Sequence, residues 1–441
     1  MKDFRLKNQV TANKYAQYFL LIFLFIVSLT VLEPKRTTNL YYFDEVSWIC
    51  NSRVWGELTQ SRWNSGVWTE DTVQRLNPQF AKYLLGIWIY PKYGSAGFTA
   101  FGCPGWGGLM FISGLEALNQ TQKDILFWAR MPAMWAGISS LILIYFIGRR
   151  LFNSTIGFFT ALLTLFNPLF QQSTNRAMPD SLLLLLMLFC VLLMTQQLSR
   201  EQNIFTTFQP LTAGLWGVLF GMAISTKTYG ILTFFLFLVL SVLFNLKLLL
   251  KPKWKYKAIY TRIVGNFLAT TGVMVGIVYA LNPVFWASFS AFTHWFSDWQ
   301  LFQVGLQKYS ISINQNIALL TPVERFIDIW NAFILPGQWN TILLLPLISA
   351  IVFLIGLFCL CLFMAQEKRS KQSTSFLLVW FGVLFSSFLL YIPFKFERYY
   401  LPLVPVITMI TAVGIYKIGQ SCAKQLQFFP FAKTPKSRSH K

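Results

Sequence analysis

The sequence predicts an all-α, polytopic integral membrane protein with about 10–12 transmembrane helices and a large first extracytoplasmic loop bearing interfacial helices. Three observations predict it. Of the 441 residues, 55% are hydrophobic, 17% aromatic and only 12% charged, with 44 Phe. A soluble domain carries about 25% charged residues, so this chain lacks the polar groups to cover a water-facing surface. Apolar runs approaching the ~20 residues that cross a bilayer recur along the whole chain. The remaining charge, 37 Lys and Arg against 16 Asp and Glu, is distributed along the chain as an orientation signal. Soluble enzyme, disordered and coiled-coil classes are excluded on the first count. A net charge of +21 would point to nucleic acid only in a soluble protein, and no nucleic-acid partner is expected.

The spans fall near Tyr15–Leu32, Ile125–Gly148, Ile156–Phe170, Ser181–Leu198, Leu211–Ser225, Tyr229–Leu246, Ile263–Phe285, Thr341–Met364, Phe376–Pro393 and Tyr399–Tyr416. The first is too long for a signal-peptide core and has no small-residue cleavage site, so it stays as a helix. Stretches near Leu84–Tyr90 and Gly107–Leu118 read as re-entrant or interfacial. With the N-terminus inside, alternation puts 22 of the 37 Lys and Arg but three of the 16 acids on the cytoplasmic side, net +19 against +2 outside. A wrong span count would scramble that partition. The chain reads as a single membrane-embedded domain over 1–441, with outer loops at about 33–124 and 286–340 and a basic cytoplasmic tail at about 417–441. No internal repeat is evident. Long outer loops suggest that the outer face does work.

Candidate residues gather on that face. Asp44 and Glu45 form an acidic pair between aromatic residues about a dozen positions past the first span; a carboxylate there is placed to take a proton from a hydroxyl, or is a solvated loop acid. Arg176 and Asp180 stand at a helix junction. Asp180 is placed to cap the next helix, and Arg176 to pair with it or to face an anion such as a lipid phosphate. Lys227 interrupts two apolar runs, which marks it for function unless it snorkels at a tight hairpin. Lys395 and Arg398, in the last outer turn, are further cations for a phosphate, beside tyrosines that also suit interface anchoring. Lys82 follows Asn77-Pro78, and Arg53 follows the acidic pair. Phe101–Gly108 is glycine-rich without a Walker or dinucleotide pattern. Cys50 and Cys103 both fall outside and are available to pair, and Asn119 opens a glycosylation sequon. Two histidines in the whole chain, His294 and His440, leave little room for a His-rich zinc site or a Ser-His-Asp triad.

Taken together, these segments resemble the type C membrane glycosyltransferases, in particular the protein O-mannosyltransferase and lipid A aminoarabinosyltransferase group. The family's Asp-Glu pair after the first helix is matched by Asp44-Glu45. Its H-P-P-x-G-K stretch is matched by Asn77-Pro78-Gln79-Phe80-Ala81-Lys82. Arg130-Met131-Pro132 and Gly148-Arg149-Arg150-Leu151-Phe152 match the opening and close of the next helix. Asn167-Pro168-Leu169-Phe170 through Arg176-Ala177-Met178-Pro179-Asp180 matches the following segment, Gly221 to Lys227 the hairpin, and Arg398 to Pro405 the closing signature. The fragments run in the same order over most of the chain. Asn-Pro-Gln in place of His-Pro-Pro removes any role for a histidine there.

The resemblance implies a polyprenyl-phosphate-linked sugar donor, a hydroxyl acceptor on protein, lipid or glycan, and an inverting transfer in one displacement. It implies Asp44 as the base, with Lys227, Lys395 and Arg398 near the donor phosphate. Glu45 is expected to position the acceptor. No cofactor is compelled, and a divalent metal at Asp44, Glu45 and Glu57 is left open. A bacterial plasma-membrane enzyme is expected, with both termini cytoplasmic and the active site outside, since no large soluble domain follows the spans. The rival readings are a secondary transporter or lipid flippase and a non-catalytic scaffold. A transporter would place its ionisable groups near the bilayer midplane, often within repeats, whereas these lie at one face.

Overall fold

A computed structural model describes residues 2–38, 43–63, 65–68, 76–102, 118–198, 210–249, 257–286, 289–313, 318–334, 344–363 and 368–428. Cys103, most of the glycine-rich stretch, the interfacial segment up to 117, the basic residues 250–256 and the tail beyond 428 lie outside the described residues. Among those described the secondary structure is helical, apart from an isolated antiparallel bridge between Ala318 and Phe394.

Each of the ten expected spans corresponds to an apolar helix. Six are long and apolar enough to cross a membrane, and four shorter apolar helices complete the set. The first is α1 (Lys2–Thr38). Among the described residues it is followed by four short helices, α2 (Phe43–Asn51), α3 (Val54–Thr59), α4 (Phe80–Tyr93) and α5 (Ala96–Thr99). The second expected span is broken into α6 (Gln120–Ala129) and α7 (Met131–Leu151), because Pro132 in the first turn of α7 has no N–H to continue the ladder. Asn119 caps α6 in a reciprocal capping box with Gln122.

Next come α8 (Ser154–Leu165) and α9 (Pro168–Thr174), whose N-caps Asn153 and Asn167 accept from Ile156 N and Phe170 N. Then follow α10 (Asp180–Leu198), α11 (Pro210–Thr226), α12 (Ile231–Leu249) and α13 (Lys257–Ala280). Two further helices follow, α14 (Phe289–Ile313) and α15 (Pro322–Ile334), and the bundle closes with α16 (Leu344–Phe363), α17 (Lys368–Tyr391) and α18 (Val404–Phe428).

In the bundle, α7 packs on α1, α8 and α10, α8 on α18, α11 on α13, and α16 on α18. Small residues set the closest crossings. A Cβ on Gly148 would stand 2.7 Å from Gly157 Cα, so the Gly148-Arg149-Arg150 motif begins where α7 and α8 nearly touch. A Cβ on Gly221 would meet Ile277 of α13 at 2.6 Å. Thr164 and Thr408 join α8 to α18 through a buried 2.8 Å hydrogen bond. By contrast α1 sends Tyr18, Phe19, Ile22 and Ile26 outward, as a lipid-facing helix does, and keeps Leu24, Ser28 and Leu32 inside.

The segment between the first two spans has a core of its own. Val46 and Ile49 of α2, Leu85 and Ile89 of α4, Phe98, and Ile125, Leu126 and Ala129 of α6 bury against one another and against Ala177. That apolar layer lies over one end of the bundle and presses the start of α2 onto the α9–α10 junction.

Candidate active site

Five chain segments converge at that end: the first turn of α2, the start of α7, the turn 176–179 before α10, the tip of the α11–α12 hairpin, and the turn before α18. Each is a break between helices, where a side chain can leave the apolar bundle.

Asp44 and Glu45 occupy the first turn of α2, where unpaired backbone N–H groups favour negative charge. Adjacent in sequence, they point to different partners. Asp44 forms an ion pair with Arg398, Oδ2 to Nη1 2.5 Å, both side chains largely buried. Glu45 is fully buried and held by Arg130, whose Nε donates to Oε1 at 2.9 Å and Nη2 to Oε2 at 2.7 Å. The Ala177 N–H also donates to Glu45 Oε1, at 2.7 Å, and Arg130 Nη1 donates to the Arg36 carbonyl at 2.8 Å. Glu45 thus ties α1, α2, α7 and the 176–179 turn into one unit, and every arm of the tie is a charge-assisted or buried hydrogen bond. Glu45, expected from the sequence to position the acceptor, is fully buried within this tie.

Lys227 leaves α11 in extended conformation, φ −160° and ψ 140°, ahead of the 3-10 turn Thr228–Gly230. Its Nζ donates to Asp180 Oδ1 at 2.6 Å. It lies 4.9 Å from the Tyr399 ring centroid and 5.8 Å from that of Tyr229, in cation–π range. Arg398 and Asp44 are within electrostatic reach of it. Arg398 lies over Phe396 and Tyr399, and its Nη1 approaches Met178 Sδ at 3.7 Å. Asp44, Arg398, Asp180 and Lys227 therefore form one alternating cluster of two acids and two cations, walled by Tyr229, Tyr399 and Met178.

The other expected residues stand around this cluster in different ways. Lys82 is 1% exposed on α4, donates to the Asn77 carbonyl at 3.2 Å, and faces Trp48, one turn along α2 from Asp44, at 6.0 Å. The Asn77–Gln79 turn is latched to the bundle by Asn282, whose Oδ1 accepts from Gln79 N and whose Nδ2 donates to Ser225 two residues before Lys227. Arg176 sits in the turn that Glu45 holds, and Arg53 is half-buried at the start of α3. Asp180, the residue expected to meet Arg176, is paired with Lys227. Lys395 differs from Arg398: it is exposed and lies within electrostatic reach of Glu324 and Asp328 of α15.

For a metal, the donor set does not fit. Glu45 is consumed by Arg130, Glu57 pairs with Arg62 at 2.7 Å, and among the described residues no three His, Cys, Asp or Glu side chains converge. Cys50 is disulfide-bonded, while Cys190, Cys359, Cys361 and Cys422 are free.

Sequence reasoning missed Arg130 and Arg36 as parts of the site. The available signal was an arginine between two apolar runs, the same signal that singled out Lys227. Tyr229 and Asn282 carried no such signal.

The fold built around this cluster is similar to that of an archaeal oligosaccharyltransferase. Over residues 122–270 the chain matches the family described as dolichyl-phosphate-mannose-protein mannosyltransferase. The Archaeoglobus fulgidus oligosaccharyltransferase, in a complex with Zn and sulfate, superposes with a TM-score of 0.52 at 11% identity, covering 93% of this chain and 50% of that one. The archaeal oligosaccharyltransferase AglB from the same organism, with an inhibitory peptide and a dolichol-phosphate, gives 0.50 at 11%, covering 96% and 52%. ArnT from Cupriavidus metallidurans, bound to undecaprenyl phosphate, gives 0.48 at 15%, covering 95% and 62%. The chain thus spans about half to three-fifths of the length of these structures. Among curated proteins no sequence matches it.

Proposed function

We propose that the chain transfers a sugar from a polyprenyl-phosphate carrier to a hydroxyl acceptor at the extracytoplasmic membrane face, with inversion at the anomeric carbon. The observation that carries this reading is the pairing of Asp44 with Arg398 beside Asp180 with Lys227, at one end of an apolar bundle. The family matched over 122–270 is described by a dolichyl-phosphate-linked sugar, and the AglB neighbour holds a dolichol-phosphate. Both support a lipid-phosphate donor here.

A cluster with two acids and two cations is balanced until a phosphate arrives. The phosphate of the donor competes with Asp44 for Arg398 and with Asp180 for Lys227. Moving the guanidinium onto phosphate oxygens frees the Asp44 carboxylate. Asp44 then takes the proton of the acceptor hydroxyl as its oxygen attacks the anomeric carbon from the face opposite the phosphate. The carbon–oxygen bond to phosphate breaks with its electron pair on the leaving group, and Arg398 and Lys227 stabilise that charge. Lys82 and Arg176 border the same phosphate site, Asp180 resets Lys227 after release, and Glu45 is a positioning residue for Asp44. Buried, low-dielectric surroundings strengthen each of these contacts relative to water.

The extracytoplasmic assignment is supported by the Cys50 disulfide, since such bonds persist in oxidising compartments, and by the sequence's charge asymmetry. The test is purified protein in lipid nanodiscs with a panel of polyprenyl-phosphate sugars, following release of polyprenyl phosphate. Turnover that disappears in Asp44→Asn is expected; full turnover in that variant would overturn the assignment of the base.

A further inference from the structure

Helix α15 belongs to the second outer segment, which the charge pattern of the sequence places outside the bilayer. Its thirteen residues, Pro322–Ile334, nevertheless sort into three faces at helical spacing. Arg325, Asp328, Ile329, Ala332 and Phe333 turn toward the protein. Glu324 and Asn331 form an exposed polar edge. Val323, Phe326, Ile327 and Trp330 lie between, at i, i+3, i+4 and i+7, and are 67%, 45%, 50% and 40% exposed. A helix facing only water does not display its bulkiest apolar residues while turning an arginine and an aspartate inward.

The inward polar groups all hold the chain around Arg398. Arg325 Nη1 donates to the carbonyls of Leu389 and Leu390, at 3.0 and 2.8 Å, two of the carbonyls that the end of α17 leaves without helical partners. Asp328 Oδ2 accepts from the Tyr400 hydroxyl at 2.6 Å. Just before α15, Leu319 N donates to the Pro393 carbonyl at 2.9 Å, and Gln307 of α14 reaches the same carbonyl. Arg398 therefore sits in a turn gripped on both sides by α15 and the residues leading into it.

The outward apolar face has a neighbour in α17. Phe326 meets Phe385 of α17 edge-on at 6.2 Å. Phe385 precedes Leu389 by one turn, about 6 Å down the helix axis, below the carbonyls that Arg325 caps. Helix α15 packs on both α17 and α16, and these two apolar helices expose Leu390 and Ile348, Ile351 and Leu354 in turn.

We infer that α15 lies in the plane of the outer leaflet, with Val323, Phe326, Ile327 and Trp330 against lipid acyl chains and Glu324 and Asn331 toward water. The bilayer is then a working part of the site, because the helix it holds from below is the one that grips the Arg398 turn from above. The occupant of this face is lipid hydrocarbon, argued from the contact of Phe326 with Phe385 of a helix long and apolar enough to span and from the single polar edge. The link to Arg398 rests on the donor-phosphate role proposed above; the membrane placement does not.

The test uses the full chain with its four free cysteines replaced by alanine, reconstituted in vesicles of phosphatidylethanolamine and phosphatidylglycerol. A nitroxide is attached at Ile327→Cys or Asn331→Cys. Collision with oxygen is expected to dominate at 327, and collision with a water-soluble nickel chelate to be several-fold greater at 331. Equal nickel accessibility at the two positions would overturn the placement, whatever the enzymatic activity proves to be. In a second arm, Ile327→Asp in the same vesicles is expected to raise amide hydrogen exchange over 389–398 several-fold. Unchanged exchange there would overturn the coupling to the Arg398 turn.

Discussion

Arg130 grips Glu45 through two hydrogen bonds, of 2.9 and 2.7 Å, and neither side chain reaches solvent. A pair so placed is expensive to break from one side, because the surviving charge stays buried without its partner. Glu45→Gln or Arg130→Met is therefore expected to lower stability by about 3–5 kcal/mol. Thermal unfolding of the detergent-solubilised protein reads this, and the double replacement Glu45→Leu with Arg130→Met is expected to recover a large part of the loss. A single variant with an unchanged melting temperature would remove Glu45 from its structural role.

Asp44, one residue earlier, is expected to differ in what its loss does to the rate. Loss of a general base costs roughly 10²–10⁴-fold in rate. Asp44→Asn should reduce kcat within that range. Because it also takes the acid out of a largely buried ion pair, the melting temperature should fall as well, and adding Arg398→Gln should recover stability but not rate. Turnover that stays lost once stability is restored separates a reacting carboxylate from a supporting one.

Arg398 presents a planar fork, and lysine at that position keeps charge without geometry. Arg398→Lys is expected to raise the KM for the lipid-phosphate donor about tenfold, equivalent to ~1.4 kcal/mol, and Arg398→Gln by more. Saturation kinetics against donor concentration check this; a change confined to acceptor KM would place Arg398 away from the phosphate.

Lys227 and Asp180 invite a double-mutant cycle. Lys227→Met leaves the Asp180 carboxylate buried and unpaired, so it should lower the melting temperature and abolish donor binding. Adding Asp180→Asn should restore the melting temperature but not donor binding, measured by retention of a polyprenyl-phosphate probe. Restoration of both would mean that the pair serves the fold alone.

At the start of α15, Glu324 Oε2 accepts from the N–H groups of Leu320 and Thr321, at 2.7 and 3.1 Å, and these bonds hold its pKa below the usual carboxylate value. A lowered folded-state pKa means that the cap contributes above the unfolded value and is lost as pH falls through the folded one. Amide exchange in the first turn of α15, corrected for its intrinsic pH dependence, is expected to rise below the carboxylate range. Glu324→Ala should show the faster exchange already at neutral pH; an unaltered rate would deny the cap.

The apolar helices and the chemical nature of the clustered side chains were legible before any folding was considered. Hydrocarbon solvent imposes a local rule, about 20 apolar residues per crossing with every backbone group satisfied within the helix. Each apolar helix therefore announces itself in a window of sequence, as Ser181–Leu198 does. Ionisable residues stand out for the same reason: Lys227 between two apolar runs is costly unless something pairs with it. The same rule should have drawn attention to Arg130.

Which charge meets which was decided by the tertiary structure alone. Asp44 and Glu45 are neighbours of one chemical type, and no local rule separates them. In the first turn of a helix, residues one apart point in directions about 100° apart, so packing of α2 against α4 and α5 sends one carboxylate to Arg398 and the other to Arg130. Lys395 and Arg398, read together in sequence, part for a similar reason: the 3-10 turn Glu397–Leu403 directs Arg398 into the cluster, while Lys395 stays outside beside α15. Ion pairing between distant segments depends on where helix ends meet in space. That is a property of the packed bundle, and no window of the sequence contains it.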